Sequence, residues 1–234
     1  MRIKVVGTLV LVAAISAPAS ATTTTTTTTR ILLDGVPVDL PAATSQVITA
    51  RHTTGTFARL TFWSLRDGHW SQLARTTIGR TGYGGLVDGN RRAQGSGTTP
   101  LGTYYLPYTF GSQTRHRDWS MPYRKFDGND YWVEDNASAY YNRYRSRDQG
   151  GARWDLVSKV NGSERLADYP TQYRMSMVVA YNYYAPVHYR GAGIFLHVNG
   201  PGATSGCVSA PTWFMRVVMD GLDPTRKPVI AIGR

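Results

Sequence analysis

One cysteine occurs in the 234 residues, Cys207, and a histidine, His197, stands ten positions before it. A thiolate beside an imidazole is the smallest cysteine nucleophile and base pair. The ring takes the thiol proton and later returns one to a leaving group. Between the two, Asn199-Gly-Pro-Gly202 reads as a turn, and Thr204-Ser-Gly206 delivers the cysteine. Gly206 permits close approach of backbone to a substrate. The N–H groups around Ser205 to Cys207 are placed to bind an acyl oxyanion, with Thr204 as a supporting hydroxyl. The same spacing also fits an inert buried cysteine and a strand histidine with a satisfied partner.

Such a pair needs rigid elements on both sides. Ile194 to Val198 is a short apolar run that reads as a buried strand. After the cysteine, Ser209-Ala-Pro-Thr-Trp-Phe-Met-Arg-Val-Val-Met-Asp-Gly221 reads as a helix. Ser209 suits its cap, Pro211 its first turn and Gly221 its end. This pattern predicts Cys207 just ahead of a helix N-terminus, whose dipole favours a thiolate by roughly one pKa unit.

The wording of this stretch resembles the L,D-transpeptidase catalytic-domain family, which acts on bacterial peptidoglycan. The family's histidine, variable loop and Ser/Thr-X-Gly-Cys are matched by His197, Thr204, Gly206 and Cys207. Thr99-Pro-Leu-Gly-Thr103, Tyr131-Trp-Val-Glu-Asp135, Tyr141-Asn142, Val178-Val-Ala-Tyr-Asn182 and Leu222-Asp-Pro-Thr-Arg-Lys-Pro-Val-Ile230 are similar to further family segments. The resemblance implies a β-rich domain and a thioester on Cys207, drawn from the stem peptides of peptidoglycan. It departs at two places: serine stands at 205 and 209, where many members carry histidine and arginine or asparagine. The His-to-Cys loop is also shorter than in many members.

Upstream, Met1-Arg-Ile-Lys4, the apolar Val5 to Ile15 and Ala19-Ser-Ala21 form the pattern of a secretory signal peptide, residues 1–21. No later apolar run is long enough to span a membrane. Residues 22–44 begin with eight threonines and read as a linker, within which Ile31 to Leu40 either packs on the domain edge or continues the linker. Residues 45–234 then read as the catalytic domain. Its many short strands, with one clear helix after Cys207, predict a mainly β fold, a sandwich or partly closed barrel. Leu60, Phe62 and Ser64 alternate with Arg59, Thr61 and Trp63, and Arg66-Asp-Gly-His69 reads as a hairpin turn. Phe110 to Pro170 is the least regular part. Trp119, Tyr123, Phe126, Tyr131, Trp132, Tyr140, Tyr141 and Tyr144 within it are groove or core aromatics. Arg190 and Asn199 lie close enough in sequence to His197 to be candidate substrate contacts.

The formal net charge is +11, and removing Arg2 and Lys4 with the signal peptide leaves +9. An exported basic chain is drawn to an anionic cell wall. Scattered basic residues and the lack of any nucleic-acid motif argue against nucleic-acid binding. His116 and His188 lack ligand spacing, so no metal and no cofactor are expected. Three functions follow. The first is an exported L,D-transpeptidase, or an L,D-carboxypeptidase if water is the acceptor. The others are a wall cysteine peptidase or amidase, and a non-catalytic wall-binding relative.

Overall fold

The computed structural model describes residues 28–234. The expected signal peptide and the threonine run as far as Thr27 lie outside the described residues. The chain folds, as expected, into a mainly β domain. Its main sheet has eleven strands in mixed directions. From edge to edge they are Leu86–Asp88, Thr99–Tyr105, Val229–Gly233, Gln46–His52, Phe57–Arg66, His69–Arg80, Val208–Ala210, Phe195–Val198, Ser176–Val178, Thr109–Gly111 and Tyr123–Lys125.

Strand alternation sets two faces. Val47, Val229 and Ala231 are fully buried against Leu33, Val36 and Val38. Those three belong to a hairpin of Thr29–Leu33 and Val36–Leu40, turned by Asp34 and Gly35 at positive φ. Residues 29–40, expected within a linker, are therefore packed structure. The neighbouring positions Ile48, Ile230 and Ile232 face the other way into the main core, as a period of two requires. The long hairpin turns at Asp67 and Gly68, both at positive φ, where the sequence places it.

One α-helix occurs among the described residues, Thr212–Gly221. Phe214, Met215, Val218 and Met219 form its buried stripe against the main core. Gln46 closes its end, donating to the Gly221 carbonyl at 2.7 Å and accepting from Asp223 N–H at 2.8 Å. The helix starts later than expected. Ser209 lies in the Val208–Ala210 strand, and Pro211 occupies the N-cap without a side-chain cap. Serine is taken by the sheet because its hydroxyl donates to Asn199 Oδ1 at 2.7 Å.

The irregular stretch hides a second sheet of Arg143–Ser146, Asp130–Val133 and Glu164–Arg165. It packs on the main sheet through Trp132, whose ring meets Phe195 edge-on at 4.9 Å. Asn142 joins the two sheets at φ +58, a conformation asparagine tolerates. Its side chain accepts from Trp132 Nε1 and Gly193 N–H and donates to the carbonyls of Tyr181 and Asn182. Asn142→Ala strands four partners, three of them buried, and strains the backbone. We expect a loss of roughly 3 kcal/mol or more, seen as a lower midpoint in urea with an unchanged slope.

Candidate active site

Cys207 ends the loop that joins the parallel strands Phe195–Val198 and Val208–Ala210. Thr204 pins this loop. Its backbone bonds to Thr81 and Tyr83, and its hydroxyl donates to the Cys207 carbonyl at 2.6 Å and accepts Gly206 N–H at 3.2 Å. Gly206 sits at φ +132, and a Cβ there would meet Thr98 O and Arg92 Nη2 at 2.8 Å. The glycine is thus required by the protein's own Thr98 carbonyl and Arg92 guanidinium. Ser205 is exposed. With the Gly206 N–H already donated, the oxyanion donors that remain from the expected set are the N–H groups of Ser205 and Cys207.

The thiol is 7% exposed. Its Sγ donates to Gly193 O at 3.2 Å and accepts Phe195 N–H at 3.3 Å. Burial pushes the thiol far above its ordinary range, and the Glu164 carboxylate adds to the rise; Phe195 N–H and the Arg92 charge oppose it. The expected thiolate at a helix end is therefore corrected. The helix begins five residues later, beyond a strand, and the cysteine rests as a neutral thiol bound to backbone.

His197 lines the same pocket of about 760 Å³ as Cys207. It is buried, with Tyr173 edge-on at 5.3 Å. Its Nδ1 lies 2.8 Å from Val198 O. A carbonyl only accepts, so Nδ1 carries the proton and Nε2 keeps its lone pair. Burial lowers the imidazole pKa to about 4, which leaves it neutral at pH 7. A neutral imidazole and a neutral thiol in one pocket supply a base and a nucleophile for a bound substrate. The other expected contacts are placed elsewhere. Asn199 bridges Ile78 O and Ser209 and is absent from the pocket lining. Arg190 stays in its loop, away from the pocket. None of the eight aromatics of the irregular stretch lines the pocket; Trp119, Phe126, Tyr131, Trp132 and Tyr141 are buried. Tyr83, Tyr169 and Tyr173 line it instead.

The family model for the L,D-transpeptidase catalytic domain matches residues 47–230. The chain belongs to the L,D-transpeptidase catalytic-domain family. No curated protein and no solved structure matches it significantly.

In this L,D-transpeptidase domain the pocket wall also carries residues the sequence left unread. Glu134 follows the Asp130–Val133 strand, and Glu164 pairs with Trp132 in register across from it. Both are half-buried pocket residues. Burial raises the Glu134 carboxyl well above the usual range, and the Glu164 charge raises it further. Burial likewise raises Glu164, against the Tyr173 hydroxyl that donates to it at 2.5 Å. Arg92 is 6% exposed and reaches the pocket beneath Gly206. Among the described residues no cluster of three His, Cys, Asp or Glu is arranged for a metal, and no helix is long and apolar enough to cross a membrane.

The raised glutamates carry a stability consequence. A carboxyl with a raised folded pKa binds its proton more tightly folded than unfolded. Stability therefore falls as pH climbs from about 4.3 through the raised value. Glu134→Gln should raise the melting midpoint near pH 8 by a few degrees, at about 2–4 °C per kcal/mol. At pH 4, where both states are protonated, the gain should vanish. Melting curves at the two pH values test this, and an equal gain at both would refute the charge argument.

Proposed function

We propose that this protein is an exported cysteine acyltransferase of the bacterial wall, forming a Cys207 thioester from a peptidoglycan stem peptide. The observation that carries the reading is one pocket holding both Cys207 and a neutral His197 in a chain of this family. The donor is the amide between the third residue of a tetrapeptide stem and its terminal D-alanine. His197 Nε2 takes the Cys207 proton as sulfur attacks the carbonyl. Ser205 and Cys207 N–H groups hold the oxyanion. The imidazolium then protonates the departing D-alanine. An amine from a second stem completes a 3–3 crosslink; water would trim the stem instead.

The sequence features of a signal peptide and the basic charge support action outside the cytoplasm, against an anionic wall. The serines at 205 and 209 favour a weakened or non-catalytic wall-binding relative as the second reading. Incubating the purified protein with tetrapeptide muropeptides separates them by mass spectrometry. Dimers or tripeptide stems with released D-alanine support the acyltransferase. Unchanged muropeptides that still bind the protein support the second reading.

A further inference from the structure

Strand pairing lays a row of side chains across the main sheet. Ser176 pairs with His197, and His197 pairs with Ser209, so all three project from one face with the histidine between two serines. Phe110 pairs with the far side of Ser176. Both serines are fully buried. The Ser209 hydroxyl is committed to Asn199 Oδ1, whereas the Ser176 hydroxyl has no hydrogen-bond partner.

A buried hydroxyl without a partner destabilises a fold, and alanine in its place would not. The setting of Ser176 is aromatic. The Phe110 ring meets Phe195 at 4.9 Å and Tyr173 at 5.7 Å, and Tyr173 meets His197 at 5.3 Å. The polar side chain in register with Ser176 is the imidazole itself. That ring must become positive when it takes the Cys207 proton, and it forms no ion pair among the described residues. Besides Cys207 and Tyr173, the pocket holds the charged or titratable Arg92, Glu134, Lys159, Glu164, Arg165 and Asp168, and Arg80 stands in the row beyond Ser209. The pKa of His197 answers to burial and to Val198 O, not to these groups.

Resting on the acyl-transfer reading above, we propose that Ser176 is a positioning residue for His197, its hydroxyl oxygen turned toward the ring to stabilise the imidazolium formed as sulfur attacks. The oxygen has little to do while the ring is neutral and gains a partner when the ring is charged. A fixed dipole aimed at charge that develops only during reaction lowers the barrier. The proton count is unchanged: the proton passes from sulfur to Nε2 and on to the departing amine, and Ser176 neither gains nor loses one. The fold thus keeps a hydroxyl that weakens it because the reaction uses it.

The test compares Ser176→Ala with Ser64→Ala. Ser64 lies in the Phe57–Arg66 strand, and its buried hydroxyl also lacks a partner. Both variants should melt no lower than wild type. Ser176→Ala should slow acylation by a tetrapeptide stem at pH 7 by about three- to tenfold, the loss of one modest hydrogen bond; Ser64→Ala should leave it unchanged. Added to His197→Ala, Ser176→Ala should slow acylation no further, because the group it serves is gone. The His197 ring, followed by NMR, should titrate at lower pH in Ser176→Ala, since a group that favoured its charged form has been removed. A wild-type rate in Ser176→Ala overturns the proposal, as does equal slowing by Ser64→Ala or slowing that persists in His197→Ala. A lower melt for Ser176→Ala also overturns it, by showing that the hydroxyl has a partner at rest. If wild type forms no thioester, the acyl-transfer reading falls, and the titration decides on Ser176 alone, read in Cys207→Ala with and without Ser176→Ala: a lower titration upholds the contact and an unchanged one ends it.

Discussion

Cys207→Ser loses turnover of tetrapeptide stems by on the order of 10⁴-fold or more, while the protein melts close to the wild type. The size follows from the chemistry. A hydroxyl is a far weaker acid than a thiol, and removal of a nucleophile leaves only binding and oxyanion effects. A factor of 10⁴ is about 5.4 kcal/mol of barrier. The fold should persist because both partners of the sulfur are backbone groups that a hydroxyl also satisfies: Gly193 O accepts and Phe195 N–H donates. The rate is read from released D-alanine, the fold from thermal melts of the same preparations. Turnover near the wild-type rate in a correctly folded Cys207→Ser would remove the cysteine from the mechanism.

The part of the site legible in the sequence is the part written locally. His197, the turn after it and Thr204-Ser-Gly-Cys207 form one continuous stretch, so the strand and loop could be read directly. The helix was readable too, but its start was not. Ser209 has two partners open to it, a helix cap and a sheet neighbour, and the Asn199 side chain decides for the sheet. Glu134, Glu164 and Arg92 come from three separate segments. Their meeting depends on the small sheet that pairs Trp132 with Glu164, whose strands of two to four residues carry too little periodicity to be seen. Asn142 gave a weak signal as part of a family-like Tyr-Asn pair. Its role needs the positive φ and four hydrogen-bond partners, which only the packed sheets supply. The aromatics were ambiguous because the same side chains suit a core or a sugar-binding groove; Trp132 and Tyr141 went to the core, with their polar atoms satisfied inside.

Removing His197 gives the second large effect, and its pH profile separates two ways of activating a thiol. In one, a thiolate and an imidazolium already stand as an ion pair. In the other, both groups rest neutral and the proton moves only as sulfur attacks. Burial acts on both groups here in the direction of neutrality: it raises the Cys207 thiol and lowers His197 to about 4. The second route is therefore the expected one, with Nε2 as the base because Nδ1–H is committed to Val198 O. The base must be unprotonated, so acylation should rise with pH through about 4 and be level by the 6.5 of an ordinary histidine. The same depression stabilises the fold above about 6.5, and that contribution is lost as pH falls through about 4. His197→Ala should slow acylation at pH 7 by about 10²–10⁴-fold, the range of a positioned base. Alkylation by iodoacetamide at pH 7 should be slow in the wild type and at least about tenfold slower in His197→Ala, and the difference should persist to about pH 9.5 because the buried thiol is still protonated there. Intact-protein mass against time, across the pH range, measures both rates. An acid limb at about 6.5 would mean a histidine of ordinary basicity, and a rate that falls at alkaline pH as an imidazolium deprotonates would restore the ion-pair route. An unchanged rate in His197→Ala would mean that His197 and Cys207 share a pocket without sharing a proton, and the base would then have to be sought in the Glu134 and Glu164 pair on the same wall.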